Sequence, residues 1–240
     1  MNLRYLNFLE KTLDFKKIIP ERNENKMKIL VTGFDPFGGE TVNPAYEAVK
    51  LLPESIKGAE IIKIEVPTVF GRAAEEVEKI IDKHRPDAVV CVGQAGGRSC
   101  ISIERIGINL REAPIPDNDG NQPVDEKIKE DGQNAYFATI PVKAMVENVR
   151  KNGIPSHLSY TAGSYVCNDI MYSLLYILDK KYPHIKGGFI HVPYATEQAA
   201  NKANNIASMP VQTIAKGLEY AIDAIIYNES DIKNAMGTTM

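Results

Sequence analysis

Lys28-Ile29-Leu30-Val31-Thr32-Gly33-Phe34-Asp35-Pro36-Phe37-Gly38-Gly39 is a short apolar run that stops in a turn rich in glycine. A run of this length, closed by Gly and Pro, reads as a strand buried on both faces. Ala88-Val89-Val90-Cys91-Val92 repeats the pattern and runs into Gly93-Gln94-Ala95-Gly96-Gly97-Arg98. Gly188-Phe189-Ile190-His191-Val192 repeats it again and ends at Pro193-Tyr194. Helical periodicity lies between these runs. Asn43-Pro44 is an N-cap followed by a helix-starting proline, with a helix to about residue 52. Residues 71–84 place Ala73, Val77, Ile80 and Ile81 on one face. Residues 141–152 form a helix closed by Gly153, and residues 166–180 another. Val211, Ile214, Leu218, Ile222 and Ile225 stripe the last. Residues 60–66 and 157–160 are further strands. Buried strands alternating with amphipathic helices predict an α/β fold, with a mostly parallel sheet and helices on both faces.

One segment breaks its own pattern. Residues 101–110 alternate, but Ile101 and Ile103 are odd while Ile106, Ile108 and Leu110 are even. The strand must bulge near Glu104-Arg105, or place a charge on an apolar face. After it, residues 114–132 form a loop rich in Pro, Asp, Asn and Gly.

A length of 240 residues suits one large domain, with two small ones as the alternative. Apolar residues at 44% and charged residues at 25% exclude a disordered or fibrous chain. A net charge of -3 argues against a protein that wraps nucleic acid. No stretch approaches the roughly 20 apolar residues that span a bilayer, so no membrane partner is expected. Residues 1–26 read as an N-terminal extension, peripheral or dispensable, and residues 27–240 as a single α/β domain. The extension is not a secretory signal, because Glu10, Lys11 and Asp14 interrupt any apolar core. Three cysteines, an odd count with no C-x-x-C spacing, point to a reducing cytoplasm rather than a disulfide scaffold. The four histidines form no metal pattern, so no metal site is expected. GFDPFGG lacks the spacing of a dinucleotide fingerprint, and no phosphate-binding P-loop is present.

In folds of this class ligands bind beyond the carboxyl ends of the strands. Cys167 follows a glycine-containing turn and opens a helix, where the dipole favours a thiolate nucleophile. Cys91 lies mid-strand and belongs to the core, and Cys100 sits in a loop. His191, at a strand end between Ile190 and Val192, is placed as a base or cationic partner. His157 is a weaker candidate. Glu104 is the best carboxylate to orient an imidazole, because local patterning is most readily violated at functional sites. A surface Glu104–Arg105 pair is the equal alternative. Phe34 and Phe37 suggest an apolar pocket, or simply core packing.

GFDPFGGETVNP, VGQAGGR, ISIERIGIN, IPDN, TAGSYVCND and GFIHVPY, in this order, closely resemble the pyroglutamyl peptidase type I family, also called pyrrolidone-carboxylate peptidase. The resemblance runs from about residue 27 to at least residue 198. It implies a single three-layer α/β/α sandwich. It implies a cytosolic cysteine peptidase that removes N-terminal pyroglutamyl residues from peptides, assembles as a homo-oligomer (dimer or tetramer) and needs no cofactor. Motif by motif it assigns Cys167 as nucleophile, His191 as base and Glu104 as the acidic member. It assigns Phe34 and Phe37 to the lactam ring, with Gln94 and Asn43 close to the pocket. Many relatives carry Arg before Ile-Pro-Asp-Asn where Pro114 stands here; if that Arg serves the oxyanion, the resemblance implies another donor such as Arg111 or a backbone N–H in its place. Two other functions fit the same fold: a thiol amidohydrolase of another small acyl amide, or a non-enzymatic binder of cyclic amides.

Overall fold

In chain order the strands are β1 (Lys28–Phe34), β2 (Ser55–Ile56), β3 (Ala59–Val66), β4 (Ala88–Gln94), β5 (Ile101–Glu104), β6 (Ile106–Ile108), β7 (Ala135–Phe137), β8 (Ser156–Ser159), β9 (Lys186–Val192), β10 (Tyr194–Ala195) and β11 (Ser208–Met209). The helices are α1 (Pro44–Lys50), α2 (Arg72–His84), α3 (Val142–Lys151), α4 (Val166–Lys181), α5 (Thr196–Ala199) and α6 (Val211–Tyr227). The protein is seen here as a computed structural model that describes residues 26–200, 202 and 205–237. The expected extension, residues 1–26, lies outside the described residues except for Lys26.

Seven strands form the central sheet in the order β2-β3-β1-β4-β9-β5-β8. The pairings β3-β1, β1-β4, β4-β9 and β5-β8 are parallel, while β2-β3 and β5-β9 are antiparallel. Helices α1, α3 and α6 pack together on one face, and α2 and α4 on the other. This is the three-layer sandwich with a mostly parallel sheet. Ile29, Leu30 and Val31 of β1 and all of Ala88–Val92 in β4 are fully buried, as a strand covered on both faces requires. The expected N-cap is present: Asn43 Oδ1 accepts from the Ala45 N–H, and Pro44 follows.

Residues 101–110 differ from the expected bulged strand. The phase break marks the place where the chain changes sheets. β5 ends at Glu104 in the central sheet, and β6 pairs with β7 in a separate two-stranded sheet. Arg105 is the pivot: its N–H donates to the Ser159 carbonyl at 2.8 Å, and its own carbonyl accepts from Ala138 N–H at 2.9 Å. Its guanidinium lies over the Phe137 ring, 5.1 Å from the centroid, and so does not pair with Glu104.

Register then places the site. Gly93 of β4 pairs with His191 of β9, and Phe189 of β9 pairs with Glu104 of β5. Residues two apart on a strand share a face. His191 is therefore the diagonal neighbour of Glu104 and the direct neighbour of Gly93. Three adjacent strands present Gly93, His191 and Glu104 in a row.

Candidate active site

Glu104 is fully buried and His191 is 4% exposed. Their side chains meet directly: Nδ1 of His191 lies 2.7 Å from Oε1 of Glu104. Burial pushes the Glu104 carboxyl up, but the hydrogen bond and charge of His191, the Ser159 hydroxyl and Arg98 outweigh it and hold it below the ordinary value. Burial pulls the His191 imidazole below its ordinary value, and the pull of Glu104 only partly restores it. The resting pair is thus an ionised carboxylate accepting from a neutral imidazole, with Nδ1 as the protonated nitrogen. That tautomer leaves Nε2 as a free base. The His191 ring is fixed from behind by Phe189, edge-on at 4.8 Å between centroids.

Cys167 stands in the first turn of α4 and reaches down to the same row. A Cβ built on Gly93 would come within 2.8 Å of Cys167 Sγ and 2.7 Å of Phe189 Cζ. The residue as a whole is only partly buried, but its sulfur is turned inward onto Gly93. Among the described residues no hydrogen bond joins Cys167 to His191. The expectation of an acidified thiol is corrected. Burial, with the Glu104 charge added, pushes Cys167 up to about 12 against the opposing effect of Arg98. At this site desolvation outweighs the helix dipole, so Cys167 rests as a thiol and His191 as a neutral imidazole.

The start of α4 is positioned by residues that the sequence left without a role. Asn168, fully buried, donates to the carbonyls of Ile108 and Leu110 and accepts from the Ile108 N–H, each at 2.9 Å. Asp169 accepts from Arg111 Nε at 2.6 Å and from Gly71 N–H at 2.8 Å. Arg111 is therefore tied to Asp169, contrary to the expectation that it serves as an oxyanion donor. The α4 N-cap is Tyr165, whose side chain makes no capping bond. Among the described residues the N–H groups of Val166, Cys167 and Asn168 have no acceptor.

The loops around this helix end are laced together. Asp117 accepts from the N–H groups of Phe70, Asp119 and Asn121. Asn118 donates to Asp35 and Pro36, and Tyr165 OH donates to the Pro116 carbonyl. This network holds the Phe37 ring 6.1 Å from Tyr165, with Phe70 edge-on to Tyr165 at 5.4 Å. Phe34 is 2% exposed and packs on Phe189 at 6.5 Å. The two phenylalanines thus have different neighbours, and Tyr165 is the ring that faces Phe37. Asn43, 2% exposed, spends its amide on the helix cap and on the Asp35 carbonyl. Gln94 Oε1 accepts from Gln198 Nε2 at 3.0 Å.

The remaining candidates fall elsewhere. Cys91 is fully buried in β4, as expected. Cys100 is half-buried rather than a free loop thiol, with Sγ 3.0 Å from His157 Nδ1. His157 therefore faces a different cysteine from Cys167. Among the described residues no cluster of His, Cys, Asp and Glu is arranged to hold a metal ion. Sequence reasoning gave no role to Arg98, which donates to Glu104 Oε1 at 2.6 Å. Its one visible signal was its position directly after a Gly-Gly pair at a strand's carboxyl end.

The sequence model described as pyroglutamyl peptidase matches residues 27–228. A pyrrolidone-carboxylate peptidase of Clostridium botulinum is 56% identical over 211 residues, covering 88% of this chain and 99% of that protein. One from Enterococcus faecalis is 55% identical over 213 residues, covering 89% of this chain and all of that protein. The crystal structure of pyroglutamyl peptidase I from Bacillus amyloliquefaciens superposes with a TM-score of 0.85 at 47% identity, over 88% of this chain and 100% of that one. The pyrrolidone carboxyl peptidase of Thermococcus litoralis gives 0.83 at 38% identity, over 87% and 99%. Sequence and fold thus agree over nearly the whole matched length, and the chain belongs to the pyroglutamyl peptidase family of cysteine hydrolases.

Proposed function

We propose that the protein cleaves the amide bond after an N-terminal pyroglutamyl residue, using Cys167, His191 and Glu104. The observation that carries this reading is the buried Glu104–His191 hydrogen bond, in register with the glycine on which the Cys167 sulfur rests. His191 Nε2 takes the Cys167 proton as sulfur attacks the carbonyl carbon joining pyroglutamate to the next residue. The C–S bond forms, and the carbonyl electron pair moves onto oxygen. Glu104 holds the tautomer and stabilises the imidazolium that results. The unpaired N–H groups of Val166, Cys167 and Asn168 are the donors for the oxyanion, a contribution of about 3 kcal/mol in comparable sites. Collapse of the tetrahedral species breaks the C–N bond, and the imidazolium gives its proton to the leaving amine. Water then attacks the thioester, with His191 as base, and releases pyroglutamate.

The lactam is flat, neutral and compact. Phe37 and Tyr165 offer the lactam an aromatic surface, with Phe34 in the core and Gln94 and Asn43 holding the adjoining loops. A charged N-terminal amine is costly to bury there, which selects the cyclised residue. The single core shared by both helical layers supports residues 27–240 as one catalytic domain. The family match, which begins at residue 27, supports residues 1–26 as an extension. Three free thiols fit a reducing cytoplasm, and assembly as a homo-oligomer completes the proposal.

The test is hydrolysis of a pyroglutamyl-arylamide. Cleavage is expected from the wild type and lost in Cys167→Ser and after thiol alkylation. Full activity in Cys167→Ser with loss in Cys91→Ser overturns the assignment. A melting temperature raised by free pyroglutamate, with the arylamide left intact, indicates a binder instead.

A further inference from the structure

Arg98 and His191 converge on one oxygen of Glu104. Arg98 Nη1 donates to Oε1 at 2.6 Å, and His191 Nδ1 lies 2.7 Å from the same atom. The other oxygen, Oε2, is buried without a hydrogen-bond partner. The guanidinium is anchored at its far side, where Nη2 donates to the Thr161 carbonyl at 3.0 Å. Ser159 Oγ, itself 3.5 Å from Nη1, donates to the same carbonyl at 3.2 Å. Arg98 is thus a brace between the residue 159–161 turn and the carboxylate.

The chain is shaped to deliver it. A Cβ at Gly96 would stand 2.2 Å from the Tyr194 ring, and Gly97 has φ +88°, so the loop must pass close to Tyr194 and turn sharply before Arg98. The brace is 26% exposed on its outer side, while Glu104 is 0% exposed.

We infer that Arg98 is a positioning residue for the reaction proposed above: by pinning Glu104 Oε1 it fixes the rotamer and the negative charge that orient and support His191. A carboxylate buried beside a neutral imidazole alone bears a large desolvation penalty. It relieves that penalty by rotating towards water or taking up a proton, and either change loses the His191 tautomer. The Arg98 guanidinium opposes both routes, because its charge is permanent and its second nitrogen is anchored on the Thr161 carbonyl. The inference rests on the Cys167–His191–Glu104 reading but goes beyond it, since that triad is chemically complete without Arg98.

The other titratable groups facing the pair are Cys167 from α4, whose thiol Glu104 pushes up, and His157 from β8, which feels both Glu104 and Arg98. Arg98 pulls both Glu104 and His191 down, so its removal shifts both upward.

The experiment compares Arg98→Met and Arg98→Lys with wild type on a pyroglutamyl-arylamide across pH, well below each protein's melting temperature. Arg98→Met is expected to lose about 10- to 100-fold in kcat with little change in KM, as for a misplaced catalytic group. The acid limb of its kcat profile should move to higher pH. Arg98→Lys, which restores charge without the second nitrogen that holds the Thr161 carbonyl, should return the acid limb towards wild type while recovering only part of kcat. Wild-type kcat and an unmoved acid limb in Arg98→Met overturn the inference and leave the triad standing. A lower kcat with an unmoved acid limb in both variants also overturns it, since that is what a structural brace alone would give. If the wild type does not cleave the substrate, the underlying reading fails and the inference with it.

Discussion

Gly93 and Cys167 occupy one another's space: the sulfur stands 2.8 Å from the position a Cβ on Gly93 would take. Phe189 closes the other side at 2.7 Å. Real carbon–sulfur contacts are longer than this, and both neighbours are held, Phe189 in the core and Cys167 by the turn that starts α4. Gly93→Ala must therefore push Cys167 away from the His191 row. Cleavage should fall by about 100-fold from a displacement of this kind. Overpacking should cost only about 1–3 kcal/mol of stability. Steady-state kinetics with a urea unfolding curve separates the two effects. Near wild-type activity in Gly93→Ala would show that the nucleophile is not seated there.

Cys91 tests the division of labour among the thiols. It is fully buried, and burial pushes its thiol up to about 12. Nothing reaches it without unfolding. Cys91→Ala should leave arylamide cleavage intact and lower stability by about 1–2 kcal/mol, a small core truncation. Mass spectrometry after brief alkylation of the native protein should find Cys167 modified and Cys91 unmodified. Early labelling of Cys91 with activity lost in step would contradict this.

The sequence carried most of the sheet and part of the site. Apolar runs such as Ala88–Val92 mark buried strands, because two covered faces require unbroken hydrophobicity. A run has no direction, however, so the reversal of β5 and β8 against β9 was not legible. The phase change after Ile103 was visible, but alternation cannot tell a bulge from a move between sheets. That break did point to Glu104, because it marks the end of β5, where the chain leaves the central sheet and Glu104 is its last residue. Arg98 was missed because a long side chain closes its contact six residues away through a turn set by Gly97. The Cys167 thiol was judged from its helix end alone, and burial, which depends on the whole fold, outweighed that local effect. Phe34 looked like a partner of Phe37, yet strand geometry turns it into the core.

Acid should destabilise the protein in two stages. Burial holds the His191 imidazole below its ordinary value of 6.5. The unfolded chain therefore binds a proton that the folded one resists. Stability from keeping His191 neutral is complete above about pH 6.5 and falls as pH drops below it. Glu104, held below 4.5 in the fold despite burial, contributes stability that is complete above that value and lost as pH falls further. His157, also lowered chiefly by burial, acts in the first stage. Urea midpoints from pH 8 to 4 should decline first below pH 6.5. His191→Gln and His157→Gln should each flatten the first stage. A wild-type midpoint that stays constant from pH 8 to 5 would rule out a buried neutral His191.

Asn168 is the place where stability and activity are joined. Its amide makes three bonds of 2.9 Å to the backbone of Ile108 and Leu110, with none of the side chain exposed. These bonds pin the first turn of α4 to the chain just beyond β5. Asn168→Ala leaves one N–H and two carbonyls buried without that partner, a loss on the order of 2–4 kcal/mol. The helix start would then be held mainly by Asp169 and Arg111, and Cys167 and the N–H groups proposed for the oxyanion would share its movement. Loss of kcat should therefore exceed what the unfolded fraction explains, with KM less affected because Phe37 lies on a separate loop held through the Asn118–Pro36 bond. Activity measured per folded molecule, with the folded fraction taken from the unfolding curve, decides the matter. Full specific activity in the folded fraction would confine Asn168 to stability.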